Sequence, residues 1–152
     1  MPPVAPGPNP LTAATLLPHR GRMLLVGQIL SLDDEQATTL SVAQENWPLV
    51  EDDSVNPLIL VELVAQTAGV HNGLRRLKTR GEDSETRGWL VGIKKAVFNV
   101  NTIALGQPVT TTARNAFVFD NLREISGKAF IDGRLAAEVI LQVVEAGDPA
   151  DG

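Results

Sequence analysis

Leu58-Ile59-Leu60-Val61-Glu62-Leu63-Val64-Ala65-Gln66-Thr67-Ala68-Gly69 carries a single carboxylate through an otherwise apolar run. An ionised group in such surroundings is expensive unless it is paired, hydrated or used. Asn56-Pro57 just before it is a start signal, a capping side chain followed by a proline where the missing N–H is harmless. The run therefore predicts a helix from this point to about Lys78. Its first half is apolar on every side, as in a helix wrapped by other structure, and Glu62 and Gln66 interrupt it too early for a membrane span. At about 100° per residue, Glu62, Gln66, Gly69 and Gly73 share one stripe. The small residues leave room there for a ligand or another chain, which makes Gln66 and Gly69 candidates for contact with substrate beside Glu62.

Working outward, Asn9-Pro10 opens a short helix over Leu11 to Leu17, and Pro18 ends it. Met23 to Leu32 and Ala37 to Ala43 read as strands of a hairpin about the acidic turn Asp33-Asp34-Glu35. After the helix and a polar loop from Arg80 to Arg87 come Trp89 to Val97, Val109 to Phe119, Ile125 to Ile131 and Leu135 to Val144. Asp132-Gly133 joins the last two, a dipeptide suited to a tight hairpin turn with positive φ. Trp89 to Val97 alternates poorly, which suits burial on both faces or a subunit contact. The elements add up to an α+β domain, about six mostly antiparallel strands curling over one long helix. Residues 1–10, rich in proline, and the tail 146–152 are expected to be disordered around a single domain over 11–145.

Composition narrows the chemistry. The 152 residues, 43% of them hydrophobic, can build one core of their own. There is no cysteine, so disulfides and thiol nucleophiles are excluded, and two histidines leave metal binding little to work with. A net charge of −5 and 4% aromatic residues disfavour nucleic acid. The N-terminus has neither the basic region nor the apolar core of a signal peptide, so a cytoplasmic protein is expected. Asp33-Asp34-Glu35 and Glu51-Asp52-Asp53 read as solvated loops rather than metal ligands. Arg75, Arg76, Lys78 and Arg80 complement the helix C-terminal dipole, and would also suit the landing of an acidic carrier protein.

Three segments in order, Leu16-Leu17-Pro18-His19-Arg20 with Met23-Leu24-Leu25-Val26, then Ile59 to Gln66, then Val91-Gly92-Ile93-Lys94-Lys95-Ala96-Val97-Phe98, resemble the hotdog-fold 3-hydroxyacyl-acyl carrier protein dehydratases of fatty-acid synthesis. The resemblance runs from residue 11 to 144. It implies a hotdog fold and a homodimer, or a pair with another hotdog chain. Two sites would lie at the interface, each taking an acyl thioester on the phosphopantetheine of a carrier protein, or on coenzyme A, with no further cofactor. Trp89 to Val97 would then pair with its own copy across a two-fold axis.

In that family a histidine removes the proton alpha to the thioester, and a carboxylate from the other subunit protonates the leaving hydroxyl. Glu62 matches the carboxylate. The family's His-Phe-Pro-Gly segment falls where this chain reads Glu45-Asn46-Trp47-Pro48-Leu49-Val50, without histidine. Its helix-start glycine, whose N–H holds the thioester oxygen, falls on Pro57, which has no N–H. A shift of one residue would assign that role to Leu58. Dehydratase-like hotdog proteins of aryl-polyene pathways are similar in the Ala-Gln-Thr segment and also lack the His-Phe-Pro-Gly form. His71, nine residues past Glu62, lies on the opposite face of the helix. His19 is left as the substitute base, against a structural role tying helix to sheet. The chain is thus read as a dehydratase, with an acyl-thioester-binding partner subunit and a thioesterase as alternatives.

Overall fold

The computed structural model describes residues 12–17, 21–80 and 88–145. Helix α1 (Ala13–Leu16) is followed by a 3-10 turn at Gly21–Met23, β1 (Gln28–Leu32), β2 (Gln36–Val42), β3 (Val50–Glu51), β4 (Ser54–Val55) and the long helix α2 (Ile59–Arg80). The chain then forms β5 (Gly88–Phe98), β6 (Ile103–Ala104), β7 (Pro108–Phe119), β8 (Leu122–Ile131) and β9 (Arg134–Glu145). Six strands form one sheet in the order β1-β2-β7-β8-β9-β5, antiparallel at every pairing, and β3-β4-β6 make a small second sheet. This is the α+β arrangement read from the sequence. Two-residue strands carry no periodic signal, which is why β3, β4 and β6 escape such a reading.

The sheet face turned toward α2 carries many small residues among larger ones such as Val109, Ile125 and Leu141. Ala37, Thr39 and Ser41 of β2, Thr111 and Ala113 of β7, Gly127 and Ala129 of β8, and Ala137 and Val139 of β9 are all buried. They alternate with more exposed neighbours, as one face of a pleated strand must. A Cβ at Gly127 would overlap Val64 of α2, so this glycine lets the helix settle against the strand. Leu60, Leu63, Val64 and Val70 fill the space between with no exposed area. Asp132 and Gly133 have φ of 52° and 76°, the turn expected of that dipeptide.

β1 starts later than the apolar run from Met23 suggests. The N–H groups of Leu25 and Val26 donate to Gln66 Oε1 at 2.9 and 3.4 Å, so the chain there is bound to a side chain instead of a strand. β5 departs from expectation on one point. It is an edge strand, with Leu90, Val91, Ile93 and Val97 between 44% and 57% exposed, so burial on both faces does not apply within one protomer. Its register with β9 slips between Leu90 and Gly92 and again between Ile93 and Lys95. Each slip breaks the period of two, which accounts for the poor alternation. Among the described residues no helix is long and apolar enough to cross a membrane. His19, the two terminal segments and most of the loop from Arg80 to Arg87 lie outside the described residues, as do the side chains of Arg75, Arg76, Lys78 and Arg80.

Candidate active site

Glu62 lies in the first turn of α2, half-buried. One turn on, Gln66 has no exposed area. Its Nε2 donates to Glu62 Oε1 at 3.0 Å and to the Met23 carbonyl at 2.7 Å, while Oε1 accepts the two N–H groups of Leu25 and Val26. Every hydrogen-bonding position of the amide is thereby engaged. The network fixes one oxygen of Glu62 and ties α2 to the segment entering β1. Gln66 thus acts on Glu62 as a positioning residue and turns no surface of its own outward.

The helix start is closed as a hydrogen-bond donor. Leu58 N–H donates to the Asn56 side-chain oxygen at 3.0 Å, a capping bond. Ile59, Leu60 and Val61 donate to the carbonyls of Asn56, Pro57 and Leu58 at 2.9 to 3.0 Å. Pro57 has no N–H. The turn that would present a free N–H to a thioester oxygen has therefore assigned all of its donors, and Leu58 could serve only if Asn56 released it. The Leu58 side chain itself is 55% exposed, one turn before Glu62 on the same face.

Gly69 and Gly73 do not border an open slot. A Cβ on Gly69 would lie 2.6 Å from Leu17 Cδ2, and one on Gly73 would lie 2.6 Å from the Leu16 carbonyl oxygen. The small residues on the stripe admit Leu16 and Leu17 of the same chain, so within the protomer the space over Gly69 is a packing position. Helical spacing reveals a narrow stripe but not what fills it. Substituting Gly69 by phenylalanine would push α1 aside rather than block a ligand.

The stretch Glu45 to Val55 folds around Trp47, which is 4% exposed. Leu49 takes φ of 66° and is half exposed, and Asp52 takes φ of 57° in the turn between β3 and β4. A leucine in the left-handed region is strained. Its carbonyl accepts the Asn56 N–H at 3.0 Å, so this strained residue is linked directly to the cap of α2. Met23, Leu49 and Leu58 are each about half exposed; Met23 shares the Gln66 amide with Glu62, while Leu49 and Leu58 both bond Asn56. His71 is 2% exposed, in keeping with its place across the helix from Glu62. Among the described residues, no three of histidine, aspartate and glutamate come together as metal ligands.

The ApeP-like family model, described as ApeP dehydratase, matches residues 11–151. Over 142 residues the chain is 30% identical to the 3-hydroxyacyl-acyl-carrier-protein dehydratase FabZ of Syntrophotalea carbinolica, covering 86% of this chain and 90% of that one. It is 33% identical over 129 residues to the FabZ of Streptococcus equi subsp. zooepidemicus, covering 80% and 86%. Among solved structures, the dehydratase heterocomplex ApeI:P from Xenorhabdus doucetiae superposes with a TM-score of 0.80 at 19% identity, over 90% of this chain and 91% of that one. That superposition establishes the hotdog fold. With the family model spanning nearly the whole chain, this protein belongs to the ApeP-like dehydratase family.

Proposed function

We propose that this chain supplies the acid half of a 3-hydroxyacyl thioester dehydratase, acting on substrate carried by the phosphopantetheine of an acyl carrier protein in the cytoplasm. The observation that carries the reading is Glu62, half-buried at the start of the central helix with one oxygen held by a fully engaged Gln66. So held, its carboxyl group is the acid that would serve the hydroxyl on C3 of the substrate. A base takes the proton from C2, the C3–O bond breaks, Glu62 protonates the departing oxygen, and water and the enoyl thioester result. The open edge of β5 is where a second hotdog chain would pair and complete the site.

A second reading draws on the helix start and the segment before it. With the N–H groups from Leu58 to Val61 engaged and no histidine between Glu45 and Val55, this chain binds acyl thioester and a different hotdog chain brings the base. Purified protein incubated with 3-hydroxybutyryl and crotonyl thioesters, on carrier protein and on coenzyme A, separates the two. Loss or addition of water that falls about 10²-fold or more in Glu62→Gln, with ligand binding retained, supports the acid role. Thioester binding without turnover, restored when a histidine-bearing hotdog partner is added, supports the second reading. Release of free thiol that depends on Glu62 would give the site to a thioesterase instead.

A further inference from the structure

The chain has no cysteine and two methionines, Met1 and Met23, so the oxidisable sulfur among the described residues is that of Met23. Met23 ends the 3-10 turn Gly21–Met23 and is 47% exposed, open to small solutes. The turn is set by Gly21, whose φ of 61° suits glycine and whose carbonyl accepts the Leu24 N–H at 3.1 Å. An exposed thioether in a fixed turn is a target for oxidation.

The same residue carries the carbonyl that Gln66 Nε2 meets at 2.7 Å, against 3.0 Å for Glu62 Oε1. These two acceptors use both hydrogens of the amide nitrogen, and Gln66 Oε1 is taken by the N–H groups of Leu25 and Val26. Gln66 therefore has no donor in reserve. Any further acceptor brought to Nε2 must displace one of the two. The longer bond, to a side chain that can turn away, yields before the shorter one to the backbone. A thioether accepts hydrogen bonds weakly, so reduced Met23 does not compete. A sulfoxide oxygen on it would, because it is carried by the side chain of the residue whose carbonyl already reaches Nε2.

We propose that Met23 is a modification site, at which oxidation by hydrogen peroxide releases Glu62 from Gln66. The peroxide O–O bond breaks, one oxygen atom is transferred to the Met23 sulfur, the sulfur gives up two electrons and becomes the sulfoxide, and the peroxide is reduced to water. The new oxygen takes the Nε2 hydrogen that Glu62 Oε1 holds in the reduced chain. The carboxyl group then loses the bond that fixes it. Reduction of the sulfoxide by a thiol-dependent methionine sulfoxide reductase returns the thioether and water, so the change is reversible. The consequence for turnover rests on the acid role of Glu62 proposed above, whereas the consequence for the Gln66 network does not.

Titration of the full chain with hydrogen peroxide tests it, with peptide mapping to separate Met23 from Met1. Met23 is expected to gain one oxygen atom, the side-chain amide protons of Gln66 to move in the nuclear magnetic resonance spectrum, and the melting temperature to fall by about 3 °C or more. Turnover of a 3-hydroxyacyl thioester should fall about tenfold, as expected for a lost hydrogen bond to a charged group, and recover on addition of the reductase. Met23→Leu, which keeps the carbonyl and removes the sulfur, should give the same values before and after peroxide. Met23→Gln, which puts a strong acceptor on the same stem, should show the shift of the Gln66 protons without peroxide. A Met23 that stays reduced at peroxide concentrations that oxidise methionine in an unstructured peptide overturns the proposal. So does a Met23 sulfoxide that leaves the Gln66 amide protons and the melting temperature unmoved. Absence of turnover before oxidation counts against the acid reading alone, because the amide protons still decide this one.

Discussion

Gln66 and Thr67 are neighbours in sequence and neither has any exposed area, yet they enter different surroundings. Gln66 faces the segment from Met23 to Val26 and satisfies every polar position it has. Thr67 faces the sheet, where its hydroxyl bonds Thr39 at 2.8 Å. One turn on, neither ring nitrogen of the buried His71 has a partner among the described residues, nor do the buried hydroxyls of Ser41 and Thr111. Buried polar groups are normally paired. The helix is thus fully satisfied around Gln66 and only partly so on the side that meets the sheet. Hydrogen bonding on α2 is most complete beside the carboxylate to which the proposed function gives the acid role.

That contrast can be broken at Gln66. Gln66→Leu strands the Met23 carbonyl and the Leu25 N–H and releases Glu62, and is expected to cost about 2–4 kcal/mol of stability by urea titration. Any turnover should fall with it. In Gln66→Glu, one acceptor bond to the chain is kept while a second carboxyl group meets Glu62, so folding should recover further than activity. On the opposite face the expected effect is smaller and of opposite sign. His71→Leu removes an imidazole that nothing satisfies and should leave stability unchanged or raise it by up to about 1 kcal/mol. A loss of 2 kcal/mol or more there would mean that His71 takes part in a network and that the two faces are alike.

The smallest effect concerns the turn between β1 and β2. Asp33 Oδ1 accepts the N–H groups of Gln36 at 2.9 Å and Glu35 at 2.7 Å, and these bonds hold its carboxyl below the usual carboxylate range. A carboxyl group with a lowered folded pKa stabilises above its unfolded value, and that contribution disappears as pH falls through the folded one. Asp33→Asn should therefore flatten the fall in melting temperature below about pH 4 and change little at neutrality. An unchanged acid limb would show that the capped turn does not report on folding.

Legibility from sequence followed the range of the interactions. α2 was readable because its cap, proline and apolar run act within a few residues, and the β8–β9 turn because Asp132-Gly133 needs only its own backbone angles. The pairing of Glu62 with Gln66 followed from one helical turn. What Gln66 holds on its far side did not, since Met23, Leu25 and Val26 are some forty residues away in the chain. A buried amide announces that it needs partners without naming them. The stripe of Gly69 and Gly73 misled for the same reason, because whether Leu16 and Leu17 or a ligand occupies it is decided by tertiary packing. The occupied donors at the helix start were half visible, in Pro57 and in the capping type of Asn56.

The strand order carries a consequence for biosynthesis. Among the described residues β5 pairs only with β9, yet β6, β7 and β8 are translated between them. An emerging polypeptide therefore holds its apolar β5 without its β9 neighbour until β6, β7 and β8 have all been added. During that interval the strand is open to any other nascent chain, including one made on the same message. Where two hotdog chains are encoded side by side, the timing of translation itself would bias which of them β5 meets first.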